Sequence, residues 1–365
     1  MVAASPPALS PSERLARWRL VRSERIGPQS CIALVDRYGS GEAAVEAILA
    51  REVGAGVRLA PAETIEREAG RLDEIGGRPL IWGDPGYPAA LAAIADPPIV
   101  LAAMGRIELL DRPAVAVVGA RNASGAGRRF AETLAAELGE AGFVVASGMA
   151  RGIDAAAHRG ALATGTVAVL ATGLDVVYPE ENRALQERIA TEGLLLTEGR
   201  PGAEPRAEQF PRRNRIVAGI SLGVIVVEAA ERSGSLITAR LAAEQGREVF
   251  AVPGSPLDPR CKGTNGLLRT GATLVESAAD VIDALRPQTA APRTPTRSPP
   301  TSEGPSHSPV EAEGRVVEHL GPTPLSVDEL ARQCQLSAAA VAAVLLELEF
   351  AGRIERHPGH KVSLR

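Results

Sequence analysis

The stretch VAVVGARNASGAGRRFAETLAAELGEAGFVVASGMARGID, residues 115–154, decides the fold class of this chain. Two short apolar runs, Val115–Val118 and Phe143–Ala146, enclose a helical pattern. Both runs are rich in β-branched residues and apolar on both faces, which is typical of central strands in a parallel sheet covered by helices. The stretch therefore predicts a strand–helix–strand unit with a glycine-rich turn after each strand.

The same pattern continues toward the carboxyl end of the chain. Helical patterns separate most of the further apolar runs, which are Val167–Ala171, Leu194–Thr197, Val224–Val227, Val249–Val252 and Thr273–Val275. Strands that alternate with helices predict an α/β domain, here an extended Rossmann-like, doubly wound and mostly parallel sheet. We assign this domain to residues 76–286.

Three further segments complete the domain organisation. Residues 1–75 alternate helical patterns with turns, which predicts a helix-hairpin-helix or sterile-alpha-motif module or, alternatively, a small helical packing domain. Residues 287–309 contain seven Pro and eight Ser or Thr residues, a composition that predicts a disordered linker. Residues 310–365 have a winged-helix pattern, in which Ala338–Phe350 takes the position of the recognition helix.

Composition and charge exclude several classes of protein. The 365 residues are 45% hydrophobic and 23% charged, as in soluble globular proteins of several domains. The net charge is −4 and aromatic residues make up only 3% of the chain, so any nucleic-acid site must be locally basic and cannot rest on a row of stacking aromatics. Three widely spaced cysteines and the lack of a membrane-length apolar run predict a cytoplasmic protein without metal, cofactor or membrane association.

Glycine-rich or hydroxyl-rich turns follow several of the predicted strands. Because the carboxyl ends of parallel strands meet at one crevice, we expect these turns to lie side by side. Their backbone N–H groups, and the helix starts behind them, attract anions. The alternative is that the glycines only permit tight packing. The candidate phosphate ligands in these turns are Gly119, Arg121, Ser124, Ser147, Gly148, Arg151, Asp154, Ser233, Gly234, Ser235 and Thr238.

Asp154 has a distinct place among these candidates. Its carboxylate is suited to cap the following helix or to orient Arg151. His158 lies one helical turn further along. The pair allows acid–base chemistry or a structural hydrogen bond, and we favour the structural hydrogen bond.

The segment FPRRNR, residues 210–215, concentrates positive charge. Its guanidinium forks and amide suit phosphate, and its apolar flanks favour a ligand role over a solvated charge run. Together with the turns, it offers more phosphate sites than a mononucleotide needs, which points to a polyanion such as a nucleic-acid backbone. No set of nucleophile, base and orienting acid is evident in the sequence, so we predict a binding protein. The candidate ligands in this segment are Arg212, Arg213, Asn214 and Arg215.

Longer motifs resemble those of the DNA-processing protein A (Smf) family. They occur in the family's order: YPAALAAIADPPIVLAAMG (87–105), VVGAR (117–121), SGMARGIDAAAH (147–158), GLDVVYP (173–179), FPRRNRIVAGIS (210–221) and EAAERSGSLITA (228–239). The resemblance is close over residues 76–285 and looser in the flanking domains. It implies a Rossmann-like fold that binds single-stranded DNA through a basic pocket. The pocket residues carried over by position are Arg121, Ser147, Gly148, Arg151 and the arginines of 212–215; Ala120 replaces a serine found in many relatives.

The resemblance also implies partners and a biological role. Such a protein would protect single-stranded DNA, associate as a homodimer and help load the RecA recombinase in natural transformation and recombination. Single-strand-binding protein is a further implied partner. The main alternative is a nucleotide-processing enzyme related to phosphoribohydrolases, although Ser233–Thr238 departs from their PGGxGT loop. A sequence-specific transcription factor is the third candidate.

The winged-helix pattern carries little charge that would attract DNA. Residues 310–365 contain eight acidic and six basic residues. The segment AAAVAAVLLELEF has two glutamates and no Arg or Lys, whereas readers of the major groove need cationic or amide side chains. We therefore expect this domain to contact protein rather than DNA.

Overall fold

The computed structural model describes residues 8–53, 57–290, 309–357 and 361–365.

The N-terminal domain is a bundle of four helices. Glu68 ties the first helix to the fourth, since Arg22 Nη2 lies 2.8 Å from its carboxylate and Trp18 Nε1 donates to it at 3.2 Å. All four helices lie within the segment predicted to alternate helical patterns with turns. The four are α1 (Pro11–Arg22), α2 (Pro28–Tyr38), α3 (Gly41–Leu49) and α4 (Ala62–Glu74).

A nine-stranded sheet forms the central domain, in the order β1-β2-β6-β5-β4-β3-β7-β8-β9. The seven predicted strands are present within one residue at each end, and they pair in parallel from β6 to β9. The strands are β1 (Arg78–Ile81), β2 (Val100–Gly105), β3 (Ala114–Val118), β4 (Val144–Ser147), β5 (Thr166–Leu170), β6 (Leu194–Thr197), β7 (Gly223–Val226), β8 (Glu248–Ala251) and β9 (Thr273–Leu274).

The first two strands were not predicted. β2 pairs antiparallel with β6, and β1 pairs antiparallel with β2. The sequence of β2, VLAAMG, is apolar but rich in alanine, which has low strand propensity. Because β2 lies beside β6, at one side of the parallel strands, the sheet is mixed but mostly parallel. The predicted fold class is confirmed.

Helices cover both faces of the sheet and bury two separate apolar cores against it. They are α5 (Ala89–Ala92), α6 (Gly125–Glu140), α7 (Ile153–Ala161), α8 (Arg183–Glu192), α9 (Gln209–Gly219), α10 (Gly234–Glu244), α11 (Lys262–Arg269) and α12 (Ala278–Ala290). α12 ends at Ala290, so the first four residues of the segment predicted as a linker, 287–309, are helical. Residues 291–308 lie outside the described residues.

The C-terminal domain is a winged helix, as predicted. Its helices are α13 (Pro309–His319), α14 (Val327–Cys334) and α15 (Ala338–Phe350). Its small sheet has the order β10-β12-β11, formed by β10 (Leu325–Ser326), β11 (Ile354–His357) and β12 (Lys361–Leu364). In the described part of the chain, no helix is both long enough and apolar enough to cross a membrane.

The helix predicted to resemble a recognition helix, α15, packs between two domains. One face buries Val341, Leu345 and Leu348 in the winged-helix core. The other face buries Leu346 and Phe350 in the core of the N-terminal domain. A helix that is apolar on every side is typical of burial on every side.

Polar contacts support this docking of α15 on α2. Glu349 accepts a hydrogen bond from Ser30. Glu347 lies 3.3 Å from Arg37 Nη1, and Arg25 Nη1 donates to the Phe350 carbonyl at 2.8 Å. The two glutamates that make α15 a poor DNA reader are therefore part of an interdomain contact.

Close packing of α6 on α7 gives a test of the fold. A Cβ atom added at Gly160 would lie 2.0 Å from the backbone oxygen of Glu132, which cannot move without the helix, whereas one added at Gly266 in α11 meets nothing within 4 Å. We expect Gly160→Ala to destabilise the protein by about 1–3 kcal/mol through overpacking. Gly266→Ala, the matched control, should be neutral or stabilise it by up to about 1 kcal/mol. Urea unfolding followed by circular dichroism measures both, and equal stability of the two variants would contradict the packing.

Candidate nucleic-acid interface

The turn after β3 already holds a carboxylate. Glu228, which follows β7, accepts hydrogen bonds from the backbone N–H of Ser124 at 2.9 Å and from its hydroxyl at 2.6 Å. Ser124 also caps α6 by accepting from Gly127 N at 2.8 Å. Because an acid occupies the positive end of α6, a phosphate at Ser124 would face a negative charge. Ser124 therefore anchors the turn, and its role as a phosphate ligand stays a prediction.

The loop after β4 is held from two sides. The Asp154 carboxylate accepts from the N–H groups of Gly148 at 3.1 Å and Ala150 at 3.3 Å, and also from that of Gly119. Asn182 Nδ2 donates to the Met149 carbonyl at 2.9 Å. These bonds fix the loop, so Asp154 positions the backbone from the lining of the cavity beside α10.

Ser147 and Arg151, at the two ends of this loop, have opposite environments. Ser147 is fully buried, and its hydroxyl donates to the Val117 carbonyl at 2.7 Å, locking β4 to β3. Arg151 is exposed and lies 3.5 Å from Glu181. Of these two predicted ligands, only Arg151 can reach a phosphate without a change in the loop.

The arginine segment forms the first turns of α9, and the helix separates its members. Arg213 points inward and donates to the carbonyls of Gly148 and Val169. Burial lowers the pKa of Arg213 to about 10, while Asp154 acts in the opposite direction. The guanidinium is therefore still charged at neutral pH. Its N–H groups serve the protein interior, and Asn214 Oδ1 accepts from its Nε at 3.1 Å.

Arg215 is also committed inside the protein. Its Nη2 donates to both carboxylate oxygens of Glu198 at 2.7 Å, and its Nη1 donates to the Asp96 carbonyl at 2.6 Å. Arg215 thus forms an ion pair that joins α9 to the residue after β6, and its role as a phosphate fork stays a prediction. Arg212 is exposed, and no carboxylate of the described residues pairs with it.

The start of α10 lies across the crevice from the β4 loop. Ser233 caps α10, and its hydroxyl lies 2.7 Å from that of Ser235. Ser235 and Thr238 are buried to more than nine-tenths, whereas Gly234 is exposed. Together with Arg121, Arg232 and Asn214 they line a cavity of about 420 Å³, which we call the α10 pocket.

A second cavity of about 390 Å³, the central pocket, adjoins the α10 pocket and is lined by Arg121, Arg151, Tyr178, Phe210 and Arg213. The Arg121 guanidinium stacks over the Phe210 ring, 5.3 Å from its centroid. The Tyr178 ring centroid is 5.5 Å from that of Phe210, and Tyr178 is exposed. No carboxylate of the described residues pairs with Arg121. Sequence analysis missed this aromatic pair, because the two rings come from motifs more than thirty residues apart.

A neutral histidine lies beneath the crevice. Thr166 Oγ1 donates to the Val145 carbonyl at 2.8 Å, so it must accept from His158 Nδ1, 2.7 Å away. His158 Nε2 is buried and has no hydrogen-bond partner. Burial, with the nearby Arg213 and Arg159 charges, lowers the pKa of His158 to about 3. Among the described residues no hydrogen bond joins His158 to Asp154, so the structural hydrogen bond favoured for this pair is wrong; the partner of His158 is Thr166. No group of three or more metal-ligating side chains converges within the described residues.

The fold and this site define a class of protein: a three-domain α/β protein with a cation-lined crevice at the carboxyl edge of its sheet. Residues 78–286 match the family model described as DNA recombination-mediator protein A. Residues 11–70 match a DprA-like N-terminal helix-hairpin-helix domain, and residues 293–360 match a DprA winged-helix domain. The chain therefore belongs to the DNA recombination-mediator protein A family.

Individual relatives agree with this assignment. The chain is 33% identical over 371 residues to Protein Smf of Synechocystis, covering 92% of this chain and 90% of that protein. It is 49% identical over 198 residues to DNA processing protein DprA of Streptococcus pneumoniae, covering 54% of this chain and 70% of that protein.

Two solved structures resemble the fold. The X-ray structure of the Streptococcus pneumoniae DprA has a TM-score of 0.63 at 34% identity and covers 76% of this chain and 98% of that one. The Helicobacter pylori DprA, whose structure is described as showing a unique single-stranded DNA binding mode, has a TM-score of 0.53 at 34% identity. It covers 58% of this chain and 96% of that one.

The buried imidazole of His158 predicts a pH dependence. In the folded state the pKa of His158 is lowered to about 3, whereas its usual pKa is 6.5. The unfolded chain binds that proton first, so stability is lost as the pH falls below about 6.5. The loss reaches at most about 1.4 kcal/mol per pH unit. His158→Gln lacks this loss, so the wild type should lose stability faster than the variant between about pH 6.5 and 5. Parallel profiles in urea unfolding would show that His158 titrates normally.

Proposed function

We propose that the protein binds single-stranded DNA at the crevice formed by the central pocket and the α10 pocket. The observation that carries this proposal is the exposed Arg121 guanidinium, which stacks on Phe210 and has no acidic partner among the described residues. Arg151 and Arg212 flank it as further phosphate ligands. Charge-assisted hydrogen bonds from guanidinium groups are among the stronger contacts that phosphate can receive.

The aromatic pair favours a single strand over a duplex. Tyr178 and Phe210 form one wall of a pocket of about 390 Å³. A base face reaches such a wall only when the base is not stacked in a helix, and base–aromatic stacking contributes about 1–3 kcal/mol per base. Since every base has a π-face, we expect little sequence preference.

The predicted ligands divide into two groups by role. We propose that Arg121, Arg151, Arg212, Asn214, Ser233 and Gly234 contact DNA. The others hold the crevice in shape through the internal bonds described above, namely Gly119, Ser124, Ser147, Gly148, Asp154, Arg213 and Arg215. Ser235 and Thr238 are buried at the start of α10 and support its first turn.

We further propose that the bound strand is protected and passed to the RecA recombinase, in recombination and natural transformation, with single-strand-binding protein as the competing ligand. Family membership and the names of the relatives support this step. A strand-exchange assay with RecA, on DNA first coated with single-strand-binding protein, tests it. The protein should accelerate exchange, and Arg121→Ala should not.

We propose a role without catalysis. The acids that line the two pockets, Asp154, Glu180 and Glu181, each accept hydrogen bonds from backbone N–H groups or an arginine, as anchoring groups do. The alternative is a phosphoribohydrolase-like enzyme. Incubation with nucleoside monophosphates separates the two, since release of free base would favour the enzyme.

Removal of one guanidinium or one ring should weaken DNA binding. We expect Arg121→Ala to raise the Kd for a fluorescent oligo-dT about 10- to 100-fold, since a charge-assisted bond contributes about 1.5–3 kcal/mol. Phe210→Ala should raise it by a similar factor through lost stacking. Arg188→Ala is the matched control, because Arg188 is exposed on α8 outside both pockets and its removal changes the net charge equally. Fluorescence anisotropy measures all three. An equal loss in Arg188→Ala would mean that only overall charge matters.

We propose that the protein forms a homodimer through the sheet edge after Ser233. There, Leu274 of the edge strand β9 and the nearby loop residue Leu257 are 47% and 91% exposed. Large exposed apolar groups beside an unpaired strand edge are typical of an interface.

Leu274→Asp should therefore shift the protein to monomer in light scattering at micromolar concentration. Leu49→Asp, which places the same charge on another exposed leucine in the N-terminal domain, should not. Monomeric wild-type protein, or dissociation by both variants, would count against this edge.

A further inference from the structure

Two more cavities continue the crevice beyond the Rossmann-like domain. The interdomain cleft, about 480 Å³, lies between the turn joining α1 to α2 and the loops that follow β5 and β6. The wing cleft, about 430 Å³, lies between the start of α2, the start of α9 and the wing strand β11. All three described domains contribute to this pair of cavities.

The four cavities share walls in sequence. Arg121, Phe210 and Arg213 line both the α10 pocket and the central pocket. Leu170 and Arg213 line both the central pocket and the interdomain cleft. Arg212 with Gly27–Pro28 lines both the interdomain cleft and the wing cleft. The cavities therefore adjoin one another from the start of α10 to the wing, and we call this series of cavities the trough.

Most acids along the added part of this trough are neutralised. Arg215 lies against both Glu198 and Asp96. Arg356 lies 2.8 Å from Glu349, and Arg22 and Arg200 both lie against Glu68. Four arginines thus face four carboxylates, so the charges of these groups cancel in sum.

Several cations remain without a carboxylate partner among the described residues. Arg212 and Arg365 are exposed and line the wing cleft. Arg25 lines it too, and its guanidinium donates to a carbonyl, so its charge is not neutralised. Glu355 is the one exposed acid of this cleft's lining that no described cation pairs with. The balance is positive, in a chain whose net charge is −4.

We propose that single-stranded DNA leaving the central pocket continues through the interdomain cleft to the wing cleft, where the docked winged-helix domain forms the outer wall. This inference rests on the proposed function and extends it. The winged-helix domain thus meets a single strand through its wing, and α15 acts only as its attachment to the N-terminal domain.

The wing offers two substitutions of opposite sign that lie outside the central pocket. Arg365→Glu should weaken binding of a long oligo-dT of about 30 nucleotides roughly three- to tenfold, whereas Glu355→Lys should tighten it by a similar factor. Neither should change binding of a short oligo-dT of about six nucleotides, which fills only the Rossmann-like part. Arg332→Glu, an equal charge change on α14 of the same domain outside the cleft, should leave both affinities unchanged.

A photocrosslinker gives a second, positional readout. A benzophenone attached at Arg365→Cys should crosslink to the long oligo-dT and not to the short one. The same label at Arg332→Cys should crosslink to neither. The three native cysteines, Cys31, Cys261 and Cys334, are buried and should take up little label.

The outcomes separate the two proposals. If the wild-type protein does not bind the short oligo-dT, the proposed function fails. Suppose instead that the wild-type protein binds the short oligo-dT, that both wing substitutions leave binding of the long oligo-dT unchanged, and that position 365 gives no crosslink. The trough is then not the path of the DNA. That result overturns this inference alone.

Discussion

A buried guanidinium organises the carboxyl edge of the sheet. Arg213 joins α9 to the carbonyls of Gly148 and Val169, and the nearby Asp154 carboxylate accepts from the backbone of the turns after β3 and β4. An interior charge that loses its compensating groups costs about 3–5 kcal/mol, so the two turns and β5 must keep their places around this arrangement. The exposed Arg121 and the half-buried Phe210 line the crevice, and the backbone beneath them is fixed.

The sequence was sufficient for the fold class, because runs that are apolar on both faces mark central strands, but it did not reveal the flanking strands β1 and β2. It was insufficient for the site because charge alone does not say which way an arginine points. The helical spacing of Arg213, Ile216, Val217 and Ile220 did contain that information, since positions three and four apart share one face of a helix. Glu228 is different, because its contact with Ser124 joins residues 104 positions apart. No pattern in the sequence around either residue predicts that contact.

This division of arginines resolves the conflict between an overall negative charge and an anion-binding crevice. Acids at the sheet edge that would repel DNA form ion pairs with interior cations, as Glu198 does with Arg215. Such a pair is buried, so it is screened little by salt, whereas the exposed Arg121 and Arg151 remain available to exchange counterions for phosphate. Net charge therefore describes the whole molecule but says little about the field inside one crevice.

The winged-helix domain follows the same logic on a larger scale. Its helix α15 is apolar on two faces, and a free domain would leave Leu346 and Phe350 in water, at a cost of about 1.5–3 kcal/mol for each large apolar side chain. Docking on α2 removes that cost and uses Glu347 and Glu349 as hydrogen-bond and ion-pair partners. Because α15 is thereby withdrawn from any DNA groove, the surface this domain turns toward the arginines of α9 is its wing. The acidic helix α15 therefore attaches the domain to the N-terminal domain, and the wing on another face of the domain borders the cationic wing cleft.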